Sequence, residues 1–299
     1  MMFRLCRLLV FALSMLYAIS GQAVECSIAF YSQKNSSSDT RFVEQLKRDL
    51  AGVDIQHVDA LSGDHCLVIT SGKQALKSAL SSPEAFNAPI IAVLISQTSY
   101  RQVLDNFDDN SSYPVTAVFS DPPLQAQIKL IESLLNKKPV KVAVLIGENN
   151  QFVEHELKAM RSTHTRFLFE RIKKDDSLLP HLENIKDADV ILATPDASLF
   201  NRNTIRPIVT TSYRYDQPII GYSPQFVKAG ALATVYTDIP IIVDKTVSFI
   251  DHFKAYGTLP ESVYPDSVKL SFNHVIAKSL NIREPVEFEN KVSNEFVQK

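Results

Sequence analysis

Short apolar runs alternating with longer amphipathic stretches restrict this chain more than any other feature. PIIAVLI (89–95), KVAVLIG (141–147) and ADVILAT (188–194) are apolar almost throughout, as strands covered on both faces must be. Further runs of this kind stand at 26–31, 53–58, 66–71, 115–120, 166–172, 218–223, 232–237 and 268–272. Amphipathic stretches at 39–51, 73–81, 122–137, 150–162, 177–186, 203–214 and 241–256 separate many of them. Such alternation predicts an α/β fold with parallel sheets. Eleven strands would overfill one sheet, so two sheets of about five are the better-sized solution. In the helix at 122–137, Asp121 is the expected cap, Pro122 fits the first turn, and Leu124, Ile128, Ile131 and Leu135 line one face.

The amino terminus points to export. Arg4 and Arg7 precede an apolar stretch from Leu8 to Ile19, and Gly21-Gln22-Ala23 suits signal peptidase. Residues 1–23 therefore read as a signal peptide, and the chain as periplasmic. The stretch is shorter than the ~20 residues a membrane span needs. Cleavage removes two of the 31 basic residues and none of the 33 acidic ones, so the formal charge moves from −2 to −4. A mildly acidic chain without a basic stripe is no nucleic-acid binder.

Cys6 leaves with the signal peptide, which keeps Cys26 and Cys66. In an oxidising compartment they are a disulfide or a pair of buried free thiols. They begin the first and third strands, which are neighbours in a 2-1-3 sheet, and this favours the bridge.

Catalytic and metal signatures are missing. G-x-S-x-G, H-E-x-x-H and G-x-G-x-x-G do not occur, and the seven histidines are dispersed. His155-Glu156 reads as a solvated helix face, and Ser71-Gly72-Lys73 lacks the leading glycine of a phosphate loop. The chain is therefore read as a non-enzyme with neither cofactor nor metal. What remains are polar clusters where strands end: Tyr31-Ser32-Gln33, Thr70-Ser71-Gly72, Ser96-Gln97-Thr98, Ser120-Asp121, Gly147-Glu148-Asn149, Thr194-Pro195-Asp196 and Tyr222-Ser223. Parallel α/β sheets bind ligands outside the carboxyl ends of their strands.

The runs VTAVFSDPPLQAQIKLIESLL, KVAVLIGEN, ADVILATPDASLF, PIIGYSPQFVKAGALATVYTDI and VKLSFNHVIAKSLNI occur in that order between about residues 66 and 282. They resemble the ABC-transporter substrate-binding family that includes tryptophan-binding proteins, with GYS-x-x-FVKAGALA the most specific piece. The resemblance implies a type I periplasmic-binding fold. That is two Rossmann-like lobes, each a parallel sheet flanked by helices, joined by three crossovers near Ser120, Phe226–Ala229 and Pro260–Ser267. One lobe is then expected to hold 24–119 and 229–262, the other 120–228 and 263–299, with LATVYT and the helix at 241–256 extending the first sheet.

The function so implied is capture of a small polar ligand between the lobes, as a monomer, for an ABC permease of the inner membrane. A periplasmic sensing subunit for a membrane receptor is the alternative, and an exported enzyme a third. The expected site joins Tyr31, Ser32, Thr70, Ser71, Gly72 and Gln97 to Asp121, Asn149, Asp196 and Tyr222. The turn at 70–72 opens a helix and favours a carboxylate. Asp121 and Asp196 would accept from an ammonium group, as in an amino acid, or else simply cap the helices after them. Tyr31 and Tyr222 would supply aromatic walls.

Overall fold

The computed structural model describes residues 27–61, 65–81, 88–107, 114–135, 139–148, 150–160, 164–173 and 176–285. Residues 1–23, read above as a signal peptide, Cys26 and Asn149 lie outside them. Two sheets form, each covered by helices. The first is built from β1 (Ile28–Tyr31), β2 (Ile55–Val58), β3 (Leu67–Ser71), β4 (Ile90–Ile95) and β5 (Val115–Phe119), in the order β2-β1-β3-β4-β5. All its strands are parallel. The second uses β6 (Val140–Ile146), β7 (Thr165–Arg171), β8 (Val190–Leu192), β9 (Ile219–Gly221), β10 (Ala233–Tyr236) and β11 (Lys269–Phe272), in the order β11-β10-β9-β8-β6-β7. Only the edge strand β11 runs antiparallel, where a wholly parallel sheet was expected.

Period-two alternation explains why each sheet needs two helical layers. Ile28, Phe30, Leu67, Ile69, Ile91 and Val93 belong to one core, and Ala29, Val68, Ile90 and Ala92 to another on the opposite face. Val142, Val144 and Ile146 of β6 likewise face one core of the second sheet, Ala143 and Leu145 the other. Burying each large side chain contributes roughly 1.5–3 kcal/mol, so a strand apolar on both faces stays inside only if both faces are covered.

Ten helices are described: α1 (Ser37–Asp49), α2 (Gly72–Leu80), α3 (Gln97–Leu104), α4 (Leu124–Leu134), α5 (Gln151–Ala159), α6 (Leu178–Asn184), α7 (Ile205–Arg214), α8 (Pro224–Ala229), α9 (Ile239–Tyr256) and α10 (His274–Ser279). Asp121 does not cap α4. That helix starts three residues later, after Pro123 in an extended conformation and without a side-chain cap, and Asp121 is used elsewhere.

The chain passes between the sheets in three places that lie side by side. The first is Ser120–Pro123, where Ser120 N–H donates to Ile95 O at 2.9 Å. The second is Thr237–Asp238, and the Thr237 hydroxyl donates to Ser120 O. The third follows Val263, which bridges Val118 and exchanges hydrogen bonds with Ala117 and Phe119 before the chain reaches β11.

The second passage corrects the sequence expectation. LATVYT does not extend the first sheet; β10 lies between β9 and β11 in the second. The cause is local: α8 is only six residues long, and Gly230 ends it at φ +112°. The chain therefore turns straight back, and Leu232 N–H donates to Ile219 O at 2.9 Å. Only after β10 does the chain cross, and α9 buries Ile242, Val243, Phe249 and Ile250 on the first sheet.

Gly221 ends β9 where Phe226 comes back over the strand, and a Cβ there would stand 2.4 Å from the Phe226 Cβ. Gly221→Ala should therefore destabilise the fold by about 1–3 kcal/mol through overpacking. Urea unfolding checks this: the midpoint should fall while the slope stays unchanged.

Candidate functional site

Strand carboxyl ends from both sheets meet at the three passages. On the first lobe, Ser36 caps α1 and forms a capping box with Asp39. The buried Asp39 carboxylate accepts from Ser36 N–H at 2.7 Å, from the Ser32 hydroxyl at 2.9 Å and from the Ser71 hydroxyl. Burial opposes its charge, but the hydrogen bonds from Ser71, Ser36 and Ser32 outweigh that and hold the carboxyl below its usual range. Asp39 thus joins two sequence-named residues, Ser32 and Ser71. Its only sequence signal was the capping box.

Beside it opens a hollow of about 430 Å³ lined by Ser32, Asp39, Ser71, Gly72, Lys73, Leu94 and Ser120. Gly72 takes φ +77° as α2 begins, a conformation that favours glycine. Leu94 takes φ +50°, at a register shift in β4 between Ala92 and Ile95. Bulges of this kind re-aim a strand end, and here the strand delivers Ser96 and Gln97. Thr70 is wholly buried, and its hydroxyl has no hydrogen-bond partner among the described residues. Tyr31, beside it in register, is buried too.

Gln97 was read as part of a turn; it is the first residue of α3, which Ser96 caps. Its backbone N–H donates to Asp121 Oδ1 at 2.9 Å, its Oε1 accepts from the Tyr264 hydroxyl at 2.9 Å, and its Nε2 reaches Glu156 at 3.4 Å. Asp121 therefore caps the start of α3 from the first passage. Burial pushes its carboxyl up to about 7, with Glu156 adding to the rise and backbone N–H groups opposing it.

The second lobe answers from across the gap. Asn150 Nδ2 donates to the Thr194 hydroxyl at 2.6 Å, and Asn150 Oδ1 accepts from the Thr98 hydroxyl of the first lobe at 3.3 Å. Arg101 contacts Glu156 at 3.3 Å and lies 4.8 Å above the Phe152 ring. Glu156 is thus partly enclosed by the first lobe rather than a solvated face.

Asp196 Oδ1 accepts from Ser198 N–H at 2.9 Å and from the Ser198 hydroxyl. Its Oδ2 is enclosed, without a partner among the described residues, in the space a Gly147 Cβ would occupy. The Tyr222 ring lies tilted against Phe226, with centroids 4.8 Å apart. Burial, then Asp196 and Asp121, push its hydroxyl up to about 12. Asp121 and Asp196 therefore both stand within electrostatic reach of Tyr222. Among the described residues no hydrogen bond joins this group to the Ser32–Asp39–Ser71 set. A second hollow of about 430 Å³ lies farther out, between Glu148, Lys173, Asp176 and Ser198. A larger one, about 960 Å³, is lined by Ser133, Asp189, Asp216, Pro218 and 279–285, at the amino ends of β8 and β9. None of the sequence-named residues lines it. No group of histidine, cysteine and acidic side chains among the described residues could hold a metal.

No family model and no curated protein matches the sequence. Solved structures do match the fold. A substrate-binding protein with adhesive properties from Clostridium difficile, in its ligand-free, open form, is similar at TM-score 0.65 and 13% identity, over 90% of this chain and 100% of that one. An ABC domain in complex with L-Trp from Streptococcus pneumonia matches at TM-score 0.58 and 17% identity, over 86% and 96%. A conserved domain protein from Vibrio cholerae matches at 0.58 and 14%, over 88% and 96%. The fold is that of the type I periplasmic binding proteins.

Replacing Asp39 by Ala leaves the Ser36 N–H and two serine hydroxyls without their acceptor, and should cost about 1–3 kcal/mol. The folded-state carboxyl is held below 3.8, so its charge contributes stability that is full above that pH and is lost as pH falls through the folded value. The difference in unfolding free energy between the native chain and Asp39→Ala should be constant above about pH 5 and shrink below pH 4. Urea titrations at stepped pH check it.

Proposed function

We propose that the chain is an exported solute-binding protein that captures a small polar ligand of the amino-acid class between its lobes and delivers it to an ABC permease. The observation that carries this reading is the convergence of strand-end polar groups from both sheets on the three passages. Hinged lobes of this kind close on a ligand because it contacts both. The fold's structural neighbours include an ABC domain bound to L-Trp, which supports the same class of ligand, and a substrate-binding protein, which supports capture.

In this reading the ligand carboxylate meets the first N–H groups of α2, since the Ser71 hydroxyl proton is donated to Asp39, and its ammonium group meets Asp196 and Asp121. Tyr222 offers a ring edge. Asn149 lies outside the described residues. No helix among the described residues is long and apolar enough to cross a membrane. The segment 1–23 directs export and is removed.

A thermal-shift screen of the mature chain against L-amino acids should give at least one that stabilises it, with calorimetry supplying the affinity. Asp196→Ala should then lose about 1 kcal/mol or more of binding, roughly a fivefold change or larger. Unchanged affinity in this variant would mean the cleft chemistry is wrong.

Export also bears on the cysteines. Cys66 Sγ lies 3.3 Å from the carbonyl oxygen of Ser27, the residue after Cys26, at the start of neighbouring strands, a separation that suits a bridge to Cys26. Thiol titration of the denatured mature protein should find no free thiol before reduction and two after it. Two at the outset would contradict the bridge.

A further inference from the structure

Strand β7 ends the second sheet, and among the described residues nothing pairs with its outer side. It is seven residues long, against four in the edge strands β2 and β11, and the remaining edge, β5, is bridged by Val263. Its register with β6 runs from Thr165 to Arg171 without a bulge, and it holds neither proline nor glycine. Sheet edges are ordinarily kept from associating by shortness, bulges or proline, and β7 has none of these. His164 O accepts from Val140 N–H at 2.8 Å, and Ile172 N–H donates to Ile146 O at 2.9 Å. Bonding alternates along a parallel ladder, so Arg166, Leu168 and Glu170 use their backbone groups on β6, while Phe167 and Phe169 turn theirs outward. The Phe167 and Phe169 rings stack 5.9 Å apart and pack on one core; Leu168 packs on the other. Arg166 is exposed and makes no hydrogen bond or ion pair among the described residues. Glu170 meets His181 Nδ1 at 2.6 Å and Asn184 Nδ2 at 3.0 Å, both through Oε1, which leaves Oε2 for a further donor.

We propose that two copies of this chain associate through β7, antiparallel about a two-fold axis at Leu168, joining their six-stranded sheets edge to edge. The strand is self-complementary in this register. Phe167 exchanges backbone bonds with the partner's Phe169, and ring meets ring on that face. On the other face Arg166 stands opposite the partner's Glu170, twice by symmetry, with the two Leu168 side chains between. The outward backbone groups also allow the axis to fall at Phe167 or Phe169. Those registers set Arg166 or Glu170 against the partner's Leu168 and lose both ion pairs. Charge therefore selects the register centred on Leu168. The neighbouring Arg171 does not compete for Glu170, because it is held by Glu154 at 2.8 Å. Such a dimer departs from the monomer that the sequence resemblance implies.

The pairing does not depend on ligand capture, and its test uses no ligand. Sedimentation velocity of the mature protein over about a hundredfold range of concentration should show a species of twice the monomer mass that grows with concentration. Arg166→Glu, at an exposed position, sets like charges opposite each other twice and should raise the dimer dissociation constant roughly tenfold. Arg166→Glu/Glu170→Arg exchanges the charges and should restore the native value. A chain that is monomeric at every concentration overturns the proposal. So does a dimer that Arg166→Glu leaves unchanged, or that the folded double variant fails to restore. Glu170 also holds His181, so if the double variant does not fold, amide hydrogen exchange of the native chain decides. The Phe167 and Phe169 amides should exchange more slowly as concentration rises, and equal rates at low and high concentration overturn the edge pairing.

Discussion

The Gln97 side chain and backbone form the joint on which the arrangement depends. Three bonds leave one residue for three different parts of the chain: the first passage at Asp121, the third at Tyr264, and the second lobe at Glu156. A neutral amide suits the position because it donates and accepts at once. Hydrocarbon there would leave the buried Tyr264 hydroxyl without its acceptor, at about 1–3 kcal/mol, and take a donor from Glu156, while the Gln97 backbone N–H would still serve Asp121. The two lobes are thereby held in register at this point.

Around that joint two aspartates of similar burial behave oppositely. Asp39 accepts from three serines and stays charged, so it anchors the first lobe's strand ends. Asp121 is poorer in donors and its carboxyl is pushed to about 7. Hydrogen bonding decides the first and desolvation the second. The strand ends of the first lobe are accordingly held by a charged carboxylate, while the carboxyl at the passage between the lobes is raised by its burial.

Much of the fold was legible in the sequence because a strand buried on both faces has few disguises. Ile90–Ile95 and Val140–Ile146 stand nearly where apolar runs such as PIIAVLI and KVAVLIG put them. The assignment of LATVYT failed because apolar content says that a strand is buried, not in which sheet; the deciding feature was the short α8 and its Gly230 turn. Helix α3 escaped notice because Ser96-Gln97-Thr98 reads equally as a turn. The site was legible as strand ends but not as contacts. Asp121 looked like a cap for its own helix and serves α3 instead, since sequence spacing cannot show which neighbouring helix a carboxylate faces. Glu156 looked solvated for the same reason: its partner Arg101 lies 55 positions away.

The central claim is that a small molecule is held by strand ends of both lobes. Amide hydrogen exchange of the mature protein, with and without the amino acid that stabilises it, tests this most directly. The account predicts slowed exchange at both ends of the cleft, around 71–74 and 96–98 on one lobe and 194–198 and 221–223 on the other. Protection confined to one lobe, or centred on the hollow beside Asp216 and Asn281, would contradict it.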